Sequence, residues 1–152
     1  LTENLYLVGA AGTFKNDCPV PLAEIVGYPL LMPSRPNSIR LQLDQAFAQA
    51  GLKYTPSAEI NSTPVVKRLV EDGLGFTVIP WCAADEEMAA GRLQGRQVVA
   101  PEVSREVSIC YSDKMPMSFA AEAVCELMID TVSGLVDSGR WRGVRIDEHA
   151  LQ

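Results

Sequence analysis

Histidine and closely paired cysteines are nearly missing from this chain, which argues against a metal site. Its 152 residues include one histidine, His149, and four cysteines, Cys18, Cys82, Cys110 and Cys125. No two cysteines form the CxxC pair that is typical of zinc ligands, so we expect no metal and no cofactor. Cys110 lies in an apolar run and Cys125 on the apolar side of a predicted helix, which favours free, buried thiols over disulfides. A redox role stays open for Cys18 and Cys82, although no basic residue stands nearby in sequence to lower the pKa of either thiol.

Basic residues are also scarce. Thirteen Lys and Arg stand against nineteen Asp and Glu, and the net charge is −6. A surface that binds nucleic acid needs clustered basic residues, so we expect no DNA binding by this chain alone. No apolar run approaches the roughly 18 residues that span a bilayer, and Leu1 does not begin a signal peptide, so we expect a cytoplasmic protein with no membrane partner. The 47% of apolar and 21% of charged residues indicate a folded domain.

Recognisable catalytic motifs are missing as well. The chain contains no GxSxG elbow, Walker loop, GxGxxG turn or HExxH pair. Glu86 and Glu87 are adjacent in a predicted helix, where neighbouring side chains do not face each other. We therefore assign no catalytic residue and predict a binding module, not an enzyme.

Residues 59–80, EINSTPVVKRLVEDGLGFTVIP, form the best-marked unit that is present. Thr63 can cap a helix and Pro64 suits its first position. Gly73 and Gly75 end that helix, and the apolar run 76–79 is short enough to be a buried strand. The helical spacing of one apolar face supports this assignment: Val65, Val66, Leu69 and Val70. The unit predicts half of a right-handed strand–helix–strand crossover.

Similar signals divide the remainder of the chain. Apolar runs predict strands at 5–8, 28–32, 54–60, 97–99 and 106–111, and periodic segments predict helices at 22–26, before Gly51, at 83–90 and at 119–136. The alternation of strands and helices over 28–99 predicts a mostly parallel sheet covered by helices on both faces. The helix before Gly51 has an apolar set of Leu41, Leu43, Ala46, Phe47 and Ala50. Ser118 caps the last helix, whose broad apolar face has no evident cover, and the polar tail shows no useful periodicity.

Two sets of polar residues follow predicted strands and precede predicted helices. Ligands of open parallel sheets bind beyond the carboxyl ends of the strands, so these residues can meet a small carboxylate or similar anion. For the first set, Ser34, Arg35 and Asn37, the alternative is ordinary helix capping with the Arg35 guanidinium solvated. In the second set, Asn61 to Thr63, one residue must cap its helix in any case. Trp81, after the strand 76–79, either walls a pocket or packs over a loop. The candidate ligand residues are Ser34, Arg35, Asn37, Asn61, Ser62 and Thr63.

The run PLAEIVGYPLLMPSRPNSIRLQLDQAFAQAGL, the unit at 59–80 and a following GRL resemble the effector-binding domain of LysR-type transcriptional regulators. The resemblance implies an α/β fold of the type II periplasmic-binding-protein kind, with two subdomains and an effector in the cleft between them. Residues 13–103 would be a complete, Rossmann-like second subdomain. Residues 1–12 and 104–138 would be hinge strands and the remnant of a first subdomain truncated at its N-terminus, and residues 139–152 a polar tail.

The same resemblance implies a sensor that controls transcription. A small anionic effector would bind in the cleft, and DNA would be bound by a separate N-terminal winged helix-turn-helix that this chain lacks. Effector domains of the family pair side by side, so a homodimer or homotetramer is implied. A transport-type solute-binding protein of similar fold is the alternative, and the helix from Thr63 resembles the regulators more closely.

Overall fold

The computed structural model describes residues 1–111, 114 and 116–146, and it is an α/β structure. Its elements follow in chain order: β1 (Thr2–Ala10), β2 (Val20–Pro21), α1 (Leu22–Ile25), β3 (Leu31–Met32), α2 (Ser38–Gln49), β4 (Ala58–Glu59), α3 (Thr63–Glu71), β5 (Thr77–Pro80), a 3-10 turn (Trp81–Ala83), α4 (Asp85–Ala89), β6 (Leu93–Val99), β7 (Ser104–Glu106), α5 (Phe119–Asp137) and β8 (Val144–Arg145).

Strand β1 is the centre of the sheet. It pairs antiparallel with β5 on one side and with β6 on the other, and β6 pairs parallel with β2. β3 pairs parallel with β4 and joins β5 through a parallel bridge between Leu30 and Phe76. The spatial order is therefore β4-β3-β5-β1-β6-β2, in which every strand except β1 points the same way. The strands predicted over 28–99 do run parallel to one another, but the prediction of a mostly parallel sheet is only partly confirmed, because β1 lies between β5 and β6 and all four of its ladders are antiparallel.

Alternating side chains of β1 build two apolar cores, one on each face of the sheet. Leu5 and Leu7 are fully buried with Phe47 of α2. Tyr6 and Val8 point the other way and pack with residues of α3. This division follows from the two-residue period of a strand, which sends successive side chains to opposite faces. Helices cover both faces, as predicted.

Several short elements differ from the sequence-based predictions. The strands expected at 28–32 and 54–60 shrink to two residues each, β3 and β4, because Pro29 and Pro56 have no N–H for a ladder. β2 and β8 were not predicted, since two-residue strands leave no periodicity. Leu41 of α2, Ala50 just after α2 and Val65 of α3 are exposed, not in the core.

The strand predicted at 106–111 is largely wrong. Only Ser104–Glu106 pairs, with Thr2, Glu3 and Asn4 of β1, and the ladder closes where Val107 exchanges backbone hydrogen bonds with Leu1. The alternation beyond Val107 meets no partner strand among the described residues. Cys110 is consequently exposed, and Cys125 on α5 is half-buried; all four cysteines are free as expected, but the predicted burial is wrong.

Helix α5 begins where predicted. The Ser118 hydroxyl accepts a hydrogen bond from the Ala121 N–H at 3.2 Å, which satisfies a free donor of the first turn. None of its residues is buried, and Phe119 is 91% and Leu127 66% exposed. Its apolar face therefore has no cover within the part of the chain that the structure describes. No helix there has the length and apolarity that crossing a bilayer demands.

Candidate functional site

The two loops that follow β3 and β4 are tied together by predicted ligand residues. The backbone N–H and the hydroxyl of Ser34 donate to the Asn61 side-chain oxygen at 2.9 Å and 2.8 Å. The two strands are parallel neighbours, so their carboxyl ends open at one edge of the sheet. The structure thus places Ser34 and Asn61 side by side at that edge, and the Asn61 amide nitrogen stays available to donate.

Three other predicted residues lie at helix starts. The Asn37 side-chain oxygen accepts from the N–H groups of Ile39 and Arg40, at 2.9 Å and 3.3 Å, so it caps α2. Ser62 holds the capping position of α3 but makes no side-chain capping bond, and Thr63 is the first helical residue. The expectation that Thr63 is the cap is wrong by one residue. The exposed hydroxyls of Ser62 and Thr63 are therefore both spared from capping.

Arg35 is turned away from the other ligand candidates. Its Nε donates to the Asp44 carboxylate at 2.7 Å and its Nη2 lies 2.6 Å from the same oxygen, across a turn that contains the cis Arg35–Pro36 bond. The side chain is still 65% exposed. One guanidinium nitrogen, Nη1, is left to meet a ligand.

A buried ionic network that sequence reasoning missed supports this edge of the sheet from behind. Arg40 is only 6% exposed, and its Nε donates to Asp44 at 2.9 Å. Its Nη1 donates to the Pro33 carbonyl at 3.2 Å and to Glu59 at 2.9 Å, so one guanidinium joins the ends of β3 and β4. The Tyr54 hydroxyl donates to Asp44 at 2.6 Å. The i,i+4 spacing of Arg40 and Asp44 was the available signal, but it indicated only a surface pair.

The contacts in this network shift the pKa values of Asp44 and Tyr54 in opposite directions. Burial alone raises the pKa of the Asp44 carboxyl, but hydrogen bonds from Tyr54, Arg40 and Arg35 outweigh burial and hold that pKa below its ordinary value. Burial and the Asp44 carboxylate raise the pKa of Tyr54 well above its usual range. Asp44 is therefore ionised and Tyr54 neutral at physiological pH, which keeps the edge that carries Ser34 and Asn61 in one arrangement.

A second buried carboxylate fastens the strands that meet at the start of β1. Glu3 is 1% exposed and accepts hydrogen bonds from Arg105 of β7 and from the Trp141 indole N–H, the latter at 3.1 Å. The Cys82 thiol also donates to it at 3.5 Å. Burial and this carboxylate raise the pKa of Cys82 to about 11, so the thiolate needed for a redox role is disfavoured.

Chemically, the strand-end loops can bind but show no reaction centre. Ser34, Ser62 and Thr63 offer hydroxyls and Asn61 offers an amide, and no base stands in hydrogen bond with any of these hydroxyls in the described structure. Among the described residues no group of three or more His, Cys, Asp or Glu could hold a metal ion. The arrangement offers hydrogen-bond groups of the kind that a small polar ligand needs.

Fold and loops together define an α/β ligand-binding domain of the type II periplasmic-binding-protein kind. A family model described as the LysR substrate binding domain matches residues 1–133. The chain belongs to this family, and the resemblance seen in the sequence is confirmed.

Relatives with known names are transcriptional regulators. The nitrogen assimilation regulatory protein nac of Escherichia coli strain K12 is 29% identical over 146 residues, which cover 93% of this chain and 46% of nac. The chain thus spans about half the length of that relative. The sequence comparison favours the regulators over the transport-type solute-binding proteins that the sequence left as the alternative.

Solved structures show the same fold. Corynebacterium glutamicum OxyR, as a C206S mutant bound to H2O2, matches with a TM-score of 0.71 and 18% identity, covering 97% of this chain and 47% of that one. The effector-binding domain of QuiR in complex with shikimate matches with a TM-score of 0.63 and 12% identity, covering 88% of this chain and 63% of that one.

Proposed function

We propose that this chain senses a small anionic effector for a LysR-type transcriptional regulator. The observation that carries the proposal is the double hydrogen bond from Ser34 to Asn61, which presents the ends of β3 and β4 as one polar edge. That edge lies beyond the carboxyl ends of parallel strands, where open sheets bind ligands. The shikimate bound to the effector domain of QuiR, a carboxylate on a similar fold, supports the same ligand class.

The ligand meets donors and no unpaired carboxylate at this edge. The hydroxyls of Ser62 and Thr63 and the amide nitrogen of Asn61 are available, and Arg35 adds positive charge even while paired with Asp44. Asn37 contributes through the helix it caps, because aligned N–H groups at a helix start favour an anion.

The remaining parts of the proposal concern the whole regulator. Residues 13–103 form its second effector subdomain, and residues 1–12 and 104–138 form hinge strands and part of a first subdomain. Residues 139–152 are the C-terminal segment, whose described part, up to residue 146, packs against β1 through β8, and whose last six residues lie outside the described residues. A separate winged helix-turn-helix binds DNA, and the protein acts in the cytoplasm as a homodimer or homotetramer without catalysing a reaction. The effector acts by binding one arrangement of the two subdomains more tightly than the other.

Binding at the strand-end loops can be tested with known probes. We would titrate shikimate and a set of other small carboxylates into the isotope-labelled chain and follow the side-chain amide of Asn61 by NMR. A ligand that binds there should move this signal, and Ser62→Ala should weaken binding roughly ten-fold or more, since hydrogen bonds to charged groups contribute about 1.5 to 3 kcal/mol. Asn61→Leu should weaken binding to a similar extent, and because it removes the reporting amide, its affinity is followed through the backbone N–H signals of the same loop.

Arg68→Ala provides the matched control. Arg68 is exposed on α3, the helix that starts at the site, but it pairs with Asp72 at the far end. This variant should bind every probe with unchanged affinity. Shikimate binding that leaves the Asn61 signal still, or that survives both site variants, would show that the effector site lies elsewhere on the chain.

A further inference from the structure

A cavity separate from the strand-end loops lies on the α4 face of the sheet. It is a cleft that opens to solvent and has a volume of about 690 Å³, a size that suits a small organic ligand. Its floor is formed by Tyr6 of β1 and by Leu93, Gly95 and Gln97 of β6, which face the same way because Tyr6 pairs with Gln97. It shares no lining residue with the loops of Ser34 and Asn61.

Aromatic and thioether groups make one wall of this cavity. The rings of Tyr6 and Trp81 meet edge to face with centroids 5.3 Å apart. Met88 of α4 lies directly over Gly95, where an added Cβ would come within 2.7 Å of the methionine methyl. Gly95 therefore keeps the floor flat and lets Met88 and Trp81 pack side by side on it, so an aromatic ring and a polarizable sulfur form one continuous apolar wall.

The opposite wall is the segment that follows α5, and it is firmly held. The Trp141 indole donates to buried Glu3 at 3.1 Å, and the Asn4 N–H donates to the Gly143 carbonyl at 2.7 Å. Gly143 is required there, because a Cβ would stand 2.4 Å from the Tyr6 hydroxyl and its φ is +69°. β8 then adds to β1. The wall is thus a built part of the fold.

Positive charge from this segment enters the cavity. The Arg142 guanidinium lies over the Trp81 ring, 4.8 Å from its centroid, and Arg140 makes no hydrogen bond or ion pair with any described residue. Burial raises the pKa of Tyr6 and the charge of Arg142 opposes that shift, so the phenol stays a neutral donor. Asp17 and Asp85 also line the cavity, but they come from the loop before β2 and from α4, so positive charge is concentrated on the wall that follows α5, where a single acidic group can meet it.

We propose that this cavity is a second ligand site, taking a flat, largely apolar molecule with one acidic group, such as an aromatic monocarboxylate. The body lies against the wall formed by Trp81 and Met88, and the acid meets Arg140 and Arg142. Such a ligand touches β6 and α4 on one side and the segment after α5 on the other. It therefore stabilises the packing of that segment against the sheet, independently of what the strand-end loops bind.

The test uses 2-naphthoate as the probe and 2-naphthamide as its uncharged analogue. The chain has two tryptophans, so its spectrum carries two indole N–H signals, Trp81 in the cavity and Trp141 behind the wall. Titration of 2-naphthoate should move the Trp81 signal and leave the Asn61 side-chain amide still. 2-Naphthamide should bind at least roughly ten-fold more weakly than 2-naphthoate, because it lacks a charge-assisted hydrogen bond to the arginines.

Variants decide whether the cavity is responsible. The double change Arg140→Gln and Arg142→Gln should weaken 2-naphthoate roughly ten-fold or more while leaving 2-naphthamide unchanged. Ala89→Phe, which fills the cavity from α4, should block both. Arg145→Gln is the matched control, an exposed arginine on the same segment that does not line the cavity. The proposal would be overturned if the Trp81 signal did not move, or if all variants bound 2-naphthoate equally well. If only the Asn61 signal moved, the probe would bind at the strand-end loops and not in this cavity.

Discussion

Replacing Arg40 by methionine should destabilise the chain more than any change at an exposed arginine. The side chain is 7% exposed and donates to Asp44, Glu59 and the Pro33 carbonyl. Methionine fills much of the same space but leaves the Asp44 carboxylate and the Pro33 carbonyl short of a donor. Removing one partner of a buried ion pair costs about 3 to 5 kcal/mol.

The lower end of that range applies because Asp44 keeps its hydrogen bonds from Arg35 and Tyr54, and because Glu59 is half-exposed and regains water. A loss of about 3 kcal/mol lowers the melting temperature of a domain this size by roughly 6 to 12 °C. Urea unfolding followed by circular dichroism measures the free energy, and an unchanged slope against denaturant shows that both end states are intact.

Arg68→Met is the control for this measurement. Arg68 also pairs with an aspartate at i+4, but its side chain is 71% exposed, so the change should cost less than about 1 kcal/mol. Equal losses for the two variants would refute the reasoning, because burial, not pairing, is what distinguishes the two arginines.

Three further outcomes are expected. First, Asp44→Asn should reduce the loss of stability that occurs below the unfolded-state pKa of about 3.9. The pKa of Asp44 is lower in the folded state, so the stability that its carboxylate contributes to the wild type is lost as pH falls towards that lower pKa. Urea midpoints measured across this pH range test the effect, and an equal fall in the midpoints of wild type and variant would contradict it. Second, the chain alone, with its charge of −6, should give no sequence-specific mobility shift with promoter DNA at moderate salt, and tight specific binding would refute this. Third, light scattering should show a dimer or larger species that Leu127→Glu on α5 disperses and Glu126→Gln does not, whereas a stable wild-type monomer would show that the apolar face needs no partner.

Sequence patterns predicted the elements that carry their own signals. Ser118 followed by a long apolar period predicted α5 to within one residue at its start, and glycines after α2 and α3 marked both ends. These features are local, since a cap or a left-handed turn depends on a few adjacent residues. The resemblance to LysR-type effector domains then predicted the fold as a whole.

Features formed between distant segments could not be predicted. β2 is two residues long and is a strand only because it pairs with β6. In the sequence Arg40 has the pattern of a surface residue of α2, and it is buried only because the ends of β3 and β4 pack over it. At the candidate site, sequence reasoning placed Ser34 and Asn61 on adjacent strand ends but could not foresee that Arg35 folds back onto Asp44. Pairing choices of this kind depend on tertiary geometry, which residue spacing does not contain.

The position of β1 also sets the order in which this chain is completed. Its partners are β5, β6, β7 and β8, which all come much later in the sequence, and β8 pairs with it near the end of the described chain. During synthesis the apolar residues of β1 therefore emerge well before any strand that flanks them. Non-local pairing of this kind slows folding and leaves unpaired strand edges exposed meanwhile. The central strand is thus made before every strand that flanks it and is among the last to be enclosed, so its apolar side chains lack their partners while the intervening residues are synthesised.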